Sequence, residues 1–438
     1  MPLDKYNLKA ALSYLDGFQF HGFRLGLDRM IRILNAFGNP EKNYPCLHVA
    51  GTNGKGSVSA IIASILHAAE YKTGLYTSPH LLSLRERFKI GNAMISEEEL
   101  EEQIWRIKDF LEKGYDLSYF EFTTVIAMAW FAEQDIELAT FETGLGGRLD
   151  ATNILTPLVS IITNISLEHQ AFLGSSISEI AREKAGIIKE GVPLITGVRE
   201  QPALAVILDR CIELNAPFWE LGRDFDVKGH GNSKIDYEGE FLNIKGLDLG
   251  LIGTHQAINA GLAIAACERL IGQGFRITDT AVRNGCRSVY WPGRGELLSG
   301  SCRVLLDGAH NLGGIRVLKD LLVRLNTTSD KDGCFHSLLW ACSNEGGDKD
   351  FVSMLMHIAY LFRRIIITEP PGPRVPVTTE SWDANDIPKD VTMEKDWQKA
   401  LNKTLSNCGS GDMLCVAGSL YLVGAVREEL MNRRFVRI

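Results

Sequence analysis

The sequence predicts an α/β protein of two domains, residues 1–291 and residues 292–438. In residues 46–69, an apolar run is followed by a glycine-rich turn and then by apolar residues at helical spacing. This order is typical of a strand, a phosphate loop and a helix. Strand-like and helical runs alternate in both halves of the chain, which favours parallel sheets. Pro292 and Gly293 interrupt the alternation, and 438 residues are long for one hydrophobic core.

The candidate phosphate loop follows a buried strand predicted at residues 46–50, and Ser57 is well placed to open the helix after it. The loop reads Gly51-Thr52-Asn53-Gly54-Lys55-Gly56-Ser57. Backbone N–H groups at such a helix start bind phosphate oxygens, while Lys55 would add positive charge and Ser57 would offer an oxygen to magnesium. The loop is atypical because Gly56 separates Lys55 from Ser57. A generic glycine-rich turn is the alternative, which the flanking strand and helix disfavour.

Polar side chains stand at or just after the ends of three further predicted strands. Ser78 follows the run 73–76, Glu142 ends the run 138–142, and His169 follows the run 157–163. Because parallel strands place their carboxyl ends at one edge of a sheet, we expect these residues to lie near the phosphate loop. An acidic residue there is a natural magnesium position. The alternatives are a charged surface loop at residues 144–153 and a capping or packing role for His169.

The remaining periodicity predicts the other elements. In the first domain we expect helices at residues 3–37 (interrupted near 17–22), 97–113, 122–134, 177–189, 202–215 and 254–271, with a strand at 192–196. Short alternating runs at 225–227, 234–237, 241–244 and 247–251 predict a small antiparallel patch. In the second domain, a mostly parallel, Rossmann-like sheet is expected, with strands at 304–306, 338–341, 365–368 and 413–417 and helices at 312–325, 351–361, 396–405 and 420–429.

Composition and charge narrow the functional classes. A net charge of −8 argues against a general nucleic-acid-binding protein. No apolar run has the length of a membrane span, and residues 1–5 lack the pattern of a signal peptide. The nine cysteines include no Cys-x-x-Cys pair, which suits reduced thiols. We therefore expect a cytoplasmic protein that has neither nucleic acid nor membrane as a partner. A monomer is a further expectation, separate from these observations.

Several motifs occur in the order found in one enzyme family. They are the loop 51–57, Thr77-Ser78-Pro79-His80-Leu81, residues 142–153, Arg182-Glu183-Lys184-Ala185-Gly186-Ile187-Ile188, His255-Gln256 with Asn259-Ala260, Pro292-Gly293-Arg294, residues 307–311, and Ala417-Gly418-Ser419-Leu420-Tyr421. Through them the chain resembles the folylpolyglutamate synthase and dihydrofolate synthase family, within the Mur ligase superfamily. The motifs extend over nearly the whole chain, and the atypical phosphate loop is the family's own form. Glu168 departs from the family pattern, in which many relatives have Asp.

The resemblance implies a Mur-ligase-like fold and an ATP-dependent amide ligase. Such an enzyme joins L-glutamate to dihydropteroate, or to the γ-carboxylate of a folate, through an acyl phosphate formed with ATP. Two magnesium ions are implied beside ATP. The stretches that match a pteroate pocket favour the bifunctional enzyme, and a folylpolyglutamate synthase alone is the alternative.

Individual roles follow from the same resemblance. ATP would be bound by the loop 51–57, with Asn259 at the adenine and Arg294 and Asp307 as further contacts. One magnesium ion would be held by Ser57 and the second by Ser78, Glu142 and His169. Lys184 would be carbamylated by carbon dioxide, which replaces an ammonium with an anion beside the metal.

The resemblance also places His310 near the γ-phosphate or the glutamate, without a proton-transfer role. A pteroate pocket is implied at three stretches of the first domain. Its residues are Leu25, Gly26, Leu27, Ser118, Tyr119, Phe120, Glu121, Leu149, Asp150 and Ala151. Phe120 would offer an aromatic surface to a pterin ring, although a core position is an equal alternative.

Two other functions stay open, and a third is disfavoured. A Mur-type ligase for a nucleotide-linked peptide precursor would need a uridine-binding domain before the phosphate loop, and only residues 1–50 precede it. A non-catalytic nucleotide-binding module would be expected to lack Lys55 or Glu142, and both are present. A plain P-loop kinase would leave the second domain without a role.

Overall fold

The computed structural model describes residues 7–21, 26–231, 233–327, 335–343, 350–382 and 391–438. The chain divides into two compact units. The first comprises Met1–Leu167, Leu173–Leu249 and Ala257–Val289, and the second comprises Glu168–Phe172, Gly250–Gln256 and Tyr290–Ile438. Leu25 of the predicted pteroate pocket lies outside the described residues.

The part of the chain before residue 290 alternates strands and helices. In chain order these are α1 (Leu8–Asp16), α2 (Asp28–Ala36), β1 (Cys46–Ala50), α3 (Lys55–Ala68), β2 (Thr73–Tyr76), β3 (Phe88–Ile90), β4 (Ala93–Met94), α4 (Glu97–Leu111), α5 (Tyr119–Glu133), β5 (Leu138–Glu142), β6 (Val159–Ile162), α6 (Gln170–Leu173), α7 (Ile177–Ala185), β7 (Leu194–Thr196), α8 (Gln201–Glu213), β8 (Phe218–Glu220), β9 (Asp226–His230), β10 (Lys234–Glu238), β11 (Asn243–Asp248), α9 (Thr254–Gly272) and α10 (Asp279–Ser288).

The second unit continues the alternation. Its elements are β12 (Arg294–Ser299), β13 (Arg303–Asp307), α11 (Leu312–Thr327), β14 (Phe335–Trp340), α12 (Phe351–Met356), β15 (Phe362–Ile367), β16 (Val391–Met393), α13 (Trp397–Ser406), β17 (Met413–Ala417), α14 (Leu420–Asn432) and β18 (Val436–Arg437).

The main sheet of the first unit has the strand order β4-β3-β2-β5-β1-β6-β7-β8 within the described residues. From β2 to β8 every neighbouring pair is parallel, and β3 and β4 are added antiparallel at one edge. The strands β9, β10 and β11 form a separate antiparallel sheet. The predicted parallel sheet with a small antiparallel patch is therefore confirmed.

The sheet of the second unit has the order β16-β15-β14-β17-β13-β12-β18 in the described residues. Its strands are parallel from β16 to β13, while β12 and β18 are antiparallel to their neighbours. A mostly parallel second sheet was predicted and is confirmed. Apolar side chains of β13, β14, β15 and β17 pack with those of α11 and α12 to form its core.

Three of the described α-helices of the first unit begin at the same sequence pattern, a serine followed three residues later by glutamate. In each, the serine side chain accepts a backbone N–H bond at the glutamate, and the glutamate accepts one from the serine, as in a capping box. The pairs are Ser96 with Glu99 in α4, Ser118 with Glu121 in α5, and Ser176 with Glu179 in α7. Because of its capping box, α5 begins at Tyr119, three residues before the predicted start.

The core of the first unit explains why α5 is apolar on all sides. Residues from Phe122 to Phe131 are buried, and they pack with side chains of α1, α2 and α4 in one cluster. A second cluster joins α7 and α8 to Ala50 and Ile162, the last residues of β1 and β6. The ends of β1 and β6, which lead into the candidate site, are therefore buried in a hydrophobic cluster.

Two of the predicted boundaries that differ from the structure have identifiable reasons. The runs predicted at residues 241–244 and 247–251 are joined in one strand, β11 (Asn243–Asp248), because Gly246 takes a φ of +59° and donates its N–H to Asp236 Oδ1 (2.7 Å) instead of making a turn. Helix α7 was predicted to end at residue 189, but it ends at Ala185 and is capped by Gly186. Among the described residues, none of the helices combines the length and the apolar character needed to cross a bilayer.

Candidate active site

The candidate site begins at the carboxyl edge of the main sheet. Strand β1 lies between β5 and β6, with Val49 opposite Glu142 and Ala50 opposite Ile162. The phosphate loop after β1, Glu142 on β5 and the segment after β6 therefore leave the sheet side by side. This adjacency of the strand ends was predicted from the sequence and is confirmed.

The phosphate loop turns at two glycines with left-handed backbone. Gly51 has a φ of +144°, and a Cβ there would overlap the Thr163 hydroxyl. Gly54 has a φ of +85°, and a Cβ there would lie 2.5 Å from Asn259 Oδ1. Only glycine combines this backbone with this lack of space.

Helix α3 starts directly after Gly54, at Lys55. The prediction that Ser57 opens the helix is wrong, because Gly54 already supplies the turn and Ser57 is the third helical residue, 5% exposed. The first amides of a helix have no carbonyl partner within the helix, and the dipole places partial positive charge there. The start of α3 is thus suited to bind an anion.

The loop is fixed to the segment that follows β6. The N–H of Thr52 donates to the Asn164 carbonyl (2.9 Å), and the N–H of Asn53 donates to Asn164 Oδ1 (3.0 Å). In return, Thr163 Oγ1 and Asn164 Nδ2 both donate to the carbonyl of Asn53, at 2.7 and 2.8 Å. Sequence reasoning did not single out Thr163 and Asn164, although their polar run directly after an apolar strand was the available signal.

Two lysines converge on the carbonyl of Gly51. Lys55 Nζ donates to it at 3.0 Å and to the Thr52 carbonyl at 3.2 Å. Lys184 Nζ, from α7, donates to the same Gly51 oxygen at 2.8 Å, and its side chain is 1% exposed. The predicted residues Lys55 and Lys184 are therefore brought together at the first residue of the phosphate loop.

The side chain of Glu142 is oriented by a hydrogen bond from a backbone N–H of the neighbouring loop. Its Oε2 accepts the N–H of Ser78 at 3.0 Å, and the residue is 4% exposed. The Ser78 loop is itself fixed by Glu86, whose carboxylate accepts the N–H groups of Leu81, Leu82 and Ser83. Ser78 and Glu142 are thus held together as predicted metal ligands would need to be.

The donor set is compatible with magnesium in its chemistry. The hydroxyls of Ser57 and Ser78 and the carboxylate of Glu142 are hard oxygen donors, and magnesium completes its shell with water and phosphate. Within the described ranges, no cluster of three histidine, cysteine or acidic side chains is arranged to hold an ion. His169 is exposed, has a φ of +45°, and lies in the short segment counted with the second unit. Its metal role stays a prediction.

Asp150 organises the glycine-rich loop after β5. Its Oδ2 accepts the N–H groups of Gly144 and Leu145, both at 2.9 Å, and its Oδ1 accepts the hydroxyl (2.5 Å) and N–H (3.0 Å) of Thr152. Burial raises the pKa of Asp150, and these bonds oppose the rise. Asp150 therefore shapes the loop that bears Leu149 and Ala151, two other residues of the predicted pteroate pocket.

The other predicted pteroate residues have definite local partners. The ring of Phe120 is half-buried against Gly144, where an added Cβ would lie 2.5 Å from its Cζ. Glu121 caps α5 with Ser118 and also pairs with Arg29 (Nη2–Oε1, 2.9 Å). The ring of Tyr119 lies under the guanidinium of Arg87, 5.5 Å from its centroid. Gly26 and Leu27 are the residues immediately before α2.

In the second unit, Asp307 ends β13 and has two backbone partners. Its Oδ2 accepts the N–H of Gly295 (2.8 Å), and its Oδ1 accepts the N–H of Ala309 (2.9 Å). Burial raises the pKa of this carboxyl, and the nearby Arg294 opposes the rise. His310 Nδ1 donates to the Gly308 carbonyl at 2.7 Å. Arg294, Asp307 and His310 are thus grouped at one turn, while Asn259, 4% exposed, is part of the first unit.

Similarity to known proteins extends along nearly the whole chain. Residues 49–267 match the Mur ligase middle domain. A dihydrofolate synthase/folylpolyglutamate synthase of Bacillus subtilis is 34% identical over 431 residues, which cover 96% of this chain and 98% of that protein. The chain belongs to the folylpolyglutamate synthase and dihydrofolate synthase family.

Solved structures of the family have the same fold. Folylpolyglutamate synthase from Thermotoga maritima superposes with a TM-score of 0.84 at 34% identity, covering 98% of both chains. E. coli FolC in complex with DHPP and ADP superposes with a TM-score of 0.87 at 29% identity, covering 99% of this chain and all of that one. The predicted Mur-ligase-like fold is therefore confirmed.

Proposed function

We propose that this protein is an ATP-dependent ligase that joins L-glutamate to dihydropteroate and to the γ-carboxylate of tetrahydrofolate. The observation that carries the proposal is the pairing of β1 with β5, because it sets the phosphate loop and Lys55 beside Glu142 at one sheet edge. Family membership along 96% of the chain supports the choice of substrates.

The reaction has two steps. A carboxylate oxygen of the acceptor attacks the γ-phosphorus of ATP, a new P–O bond forms, and the bond to the bridging oxygen of ADP breaks. The amine nitrogen of glutamate then attacks the acyl carbon of the acyl phosphate, inorganic phosphate leaves, and the nitrogen loses a proton. Both steps depend on positioning and on neutralising negative charge.

The residues of the phosphate loop meet these needs. The first amides of α3 bind phosphate oxygens, and Lys55 exchanges its bonds to the Gly51 and Thr52 carbonyls for bonds to phosphate. The bonds from Thr163 and Asn164 keep the loop in one conformation. Little reorganisation of the loop backbone is then needed when the nucleotide binds.

Ser57, Ser78 and Glu142 are the residues that would hold magnesium in this proposal. A bound divalent ion would neutralise charge on the phosphates. A second magnesium ion, and His169 as one of its ligands, are proposed from the family resemblance. Lys184 is proposed to be carbamylated, which would replace a buried ammonium next to Gly51 by an anion. Rescue of a Lys184→Ala variant by short carboxylic acids tests this, and absence of rescue would contradict it.

The acceptor side follows from the stretches around α2, α5 and the Asp150 loop. Phe120 against Gly144 provides an aromatic surface at the end of β5. Asp150 and Glu121 are engaged with backbone and with Arg29, so we assign them to the shape of the pocket. Location in the cytoplasm, which composition supports, and a monomeric state are further parts of the proposal.

The experiment is ATP-dependent phosphate release with glutamate and magnesium, run separately with dihydropteroate and with tetrahydrofolate. Release with both acceptors is expected. Release with tetrahydrofolate alone would leave a folylpolyglutamate synthase and contradict the pteroate pocket. Lys55→Met should abolish release, while Lys42→Met, at an exposed lysine, is the matched control. Release with neither acceptor would refute the proposed function.

A further inference from the structure

The turn that enters the second unit, residues 290–295, presents Arg294 between two glycines. Gly293 and Gly295 have φ of +68° and +63°, so the backbone on both sides of Arg294 is left-handed. The N–H of Gly308 donates to the Gly293 carbonyl at 2.8 Å. A Cβ added to Gly308 would overlap Nη1 of Arg294, which shows that the guanidinium lies against the Gly308 backbone.

Strand β12 has an irregular register at this turn. Arg294 is opposite Asp307, but Glu296 is opposite Leu306, so β12 has one residue more than β13 between the two pairs. Such a bulge interrupts the alternation of a strand and changes the direction of a side chain. Arg294 and Glu296, which a regular strand would direct to the same face, lie in different surroundings.

Glu296 is buried in a cluster with Tyr290 and Arg427. Its side chain is 1% exposed, and it accepts the Tyr290 hydroxyl (2.6 Å), the N–H of Gly293 (2.8 Å) and Arg427 Nε (3.0 Å to each oxygen). Arg427, from α14, also donates from Nη2 to the Tyr290 hydroxyl. Because the carboxylate is fully bonded, removing any one partner leaves buried polar groups unmatched.

The C-terminal strand closes the other side of the cluster. The guanidinium of Arg437, on β18, lies 4.5 Å from the centroid of the Tyr290 ring and donates to the Gly250 carbonyl at 2.7 Å. Strand β18 pairs with β12 at Leu298 and Ser299. The first residue of the turn is therefore held by α14 and β18 as well as by Glu296.

We propose that Glu296, supported by Tyr290 and Arg427, positions Arg294 for the nucleotide. The inference rests on the proposed function, in which Arg294 contacts ATP. Glu296 holds the residue before Arg294 through the Gly293 N–H, and Asp307 holds the residue after it through the Gly295 N–H. Glu296 itself is a positioning residue, and it acts on the affinity for ATP rather than on that for glutamate.

The test compares two variants with a control on α14, the helix that carries Arg427. Glu296→Gln removes the charge with little change of shape, and Tyr290→Phe removes one of the hydrogen bonds. The control is Glu429→Gln, which breaks an exposed ion pair with Arg433 on α14. We would measure KM for ATP and for glutamate, and the Kd of the full-length protein for a non-hydrolysable ATP analogue.

We expect Glu296→Gln to weaken ATP and analogue binding about tenfold or more, which corresponds to about 1.4 kcal/mol. Tyr290→Phe should have a smaller effect in the same direction, and KM for glutamate should stay within about twofold in both variants. Glu429→Gln should bind the analogue as the unaltered protein does.

The outcomes separate this inference from the function on which it rests. If Arg294→Ala weakens analogue binding while Glu296→Gln and Tyr290→Phe do not, the positioning role is wrong and the proposed function stands. If Glu296→Gln weakens ATP and glutamate equally, the cluster has only a general structural role, and the inference is refuted. If Arg294→Ala leaves analogue binding unchanged, Arg294 is not a nucleotide contact and the inference falls. Because the analogue is not turned over, these results decide the inference even if no acceptor is glutamylated.

Discussion

His48, on β1 directly before the phosphate loop, should make the first unit sensitive to acid. Its Nε2 lies 2.8 Å from Thr152 Oγ1, and that hydroxyl donates to Asp150 Oδ1. The hydroxyl can therefore only accept from His48, which places the proton on Nε2. The other ring nitrogen, Nδ1, is buried with no hydrogen-bond partner among the described residues. A second proton would be added at this buried Nδ1.

The magnitude follows from the pKa of the imidazole. Burial, with a smaller contribution from Lys189, lowers the pKa of His48 from 6.5 to about 3. The unfolded chain then binds a proton below pH 6.5 that the folded chain does not bind, so stability is lost as the pH falls. Between about pH 6.5 and about pH 5, one such group lowers the free energy of unfolding by ~2 kcal/mol.

The assay is urea unfolding of the full-length protein and of His48→Gln near neutral pH and near pH 5. The variant should lose ~2 kcal/mol less than the unaltered protein across this interval, since glutamine binds no proton. His67→Gln, at an exposed histidine on α3, is the matched control and should retain the full pH dependence. An identical pH dependence in His48→Gln and the unaltered protein would refute the reasoning.

Three further predictions concern the site and its surroundings. Gly54→Ala should raise KM for ATP about tenfold or more, because the new Cβ would lie 2.5 Å from Asn259 Oδ1 on a backbone with φ of +85°. Arg29→Met should lower the free energy of unfolding by about 1–3 kcal/mol in urea, because it leaves the buried Glu121 carboxylate without its ion pair. Chelation of divalent ions should stop phosphate release, and added magnesium should restore it.

The two substitutions each have a control in the same chain. Gly114 has a φ of +95° with nothing within 4 Å of an added Cβ, so Gly114→Ala tests backbone strain without a clash. Arg210 makes an exposed ion pair with Glu213, and Arg210→Met should be nearly neutral. A Gly54→Ala protein with unaltered KM, an Arg29→Met protein of unaltered stability, or release that persists in chelator would contradict the respective argument.

The sequence was sufficient for the parts of the fold that depend on local apolar patterns. The strands at residues 46–50, 73–76 and 138–142 were predicted with the bounds that the structure has, because buried parallel strands are continuous apolar runs. Among the described elements, the strands β3, β4, β8, β12, β16 and β18 and the helices α6 and α10 were missed. Such elements depend on pairing and packing with distant residues, which no local pattern contains.

The candidate site also has parts that local sequence patterns predict and parts that depend on contacts between distant residues. The phosphate loop, Glu142 and their shared edge could be predicted because glycines and polar residues at strand ends have a direct physical meaning. The interactions of Lys184 with the Gly51 carbonyl and of Arg427 with Glu296 join residues far apart in sequence. The sequence also contains the capping-box pattern of Ser118 and Glu121, but only a substrate role was predicted for these two residues.

The attachment of the phosphate loop to the end of β6 limits how this loop can change in evolution and design. Its glycine and lysine pattern alone does not define the loop, since Thr163 and Asn164 complete its hydrogen bonding from more than a hundred residues away. A transplant of residues 51–57 into another sheet would therefore need a matching threonine and asparagine directly after the adjacent strand. The functional unit is a pair of neighbouring strand ends, and mutations in one should be compensated most readily in the other.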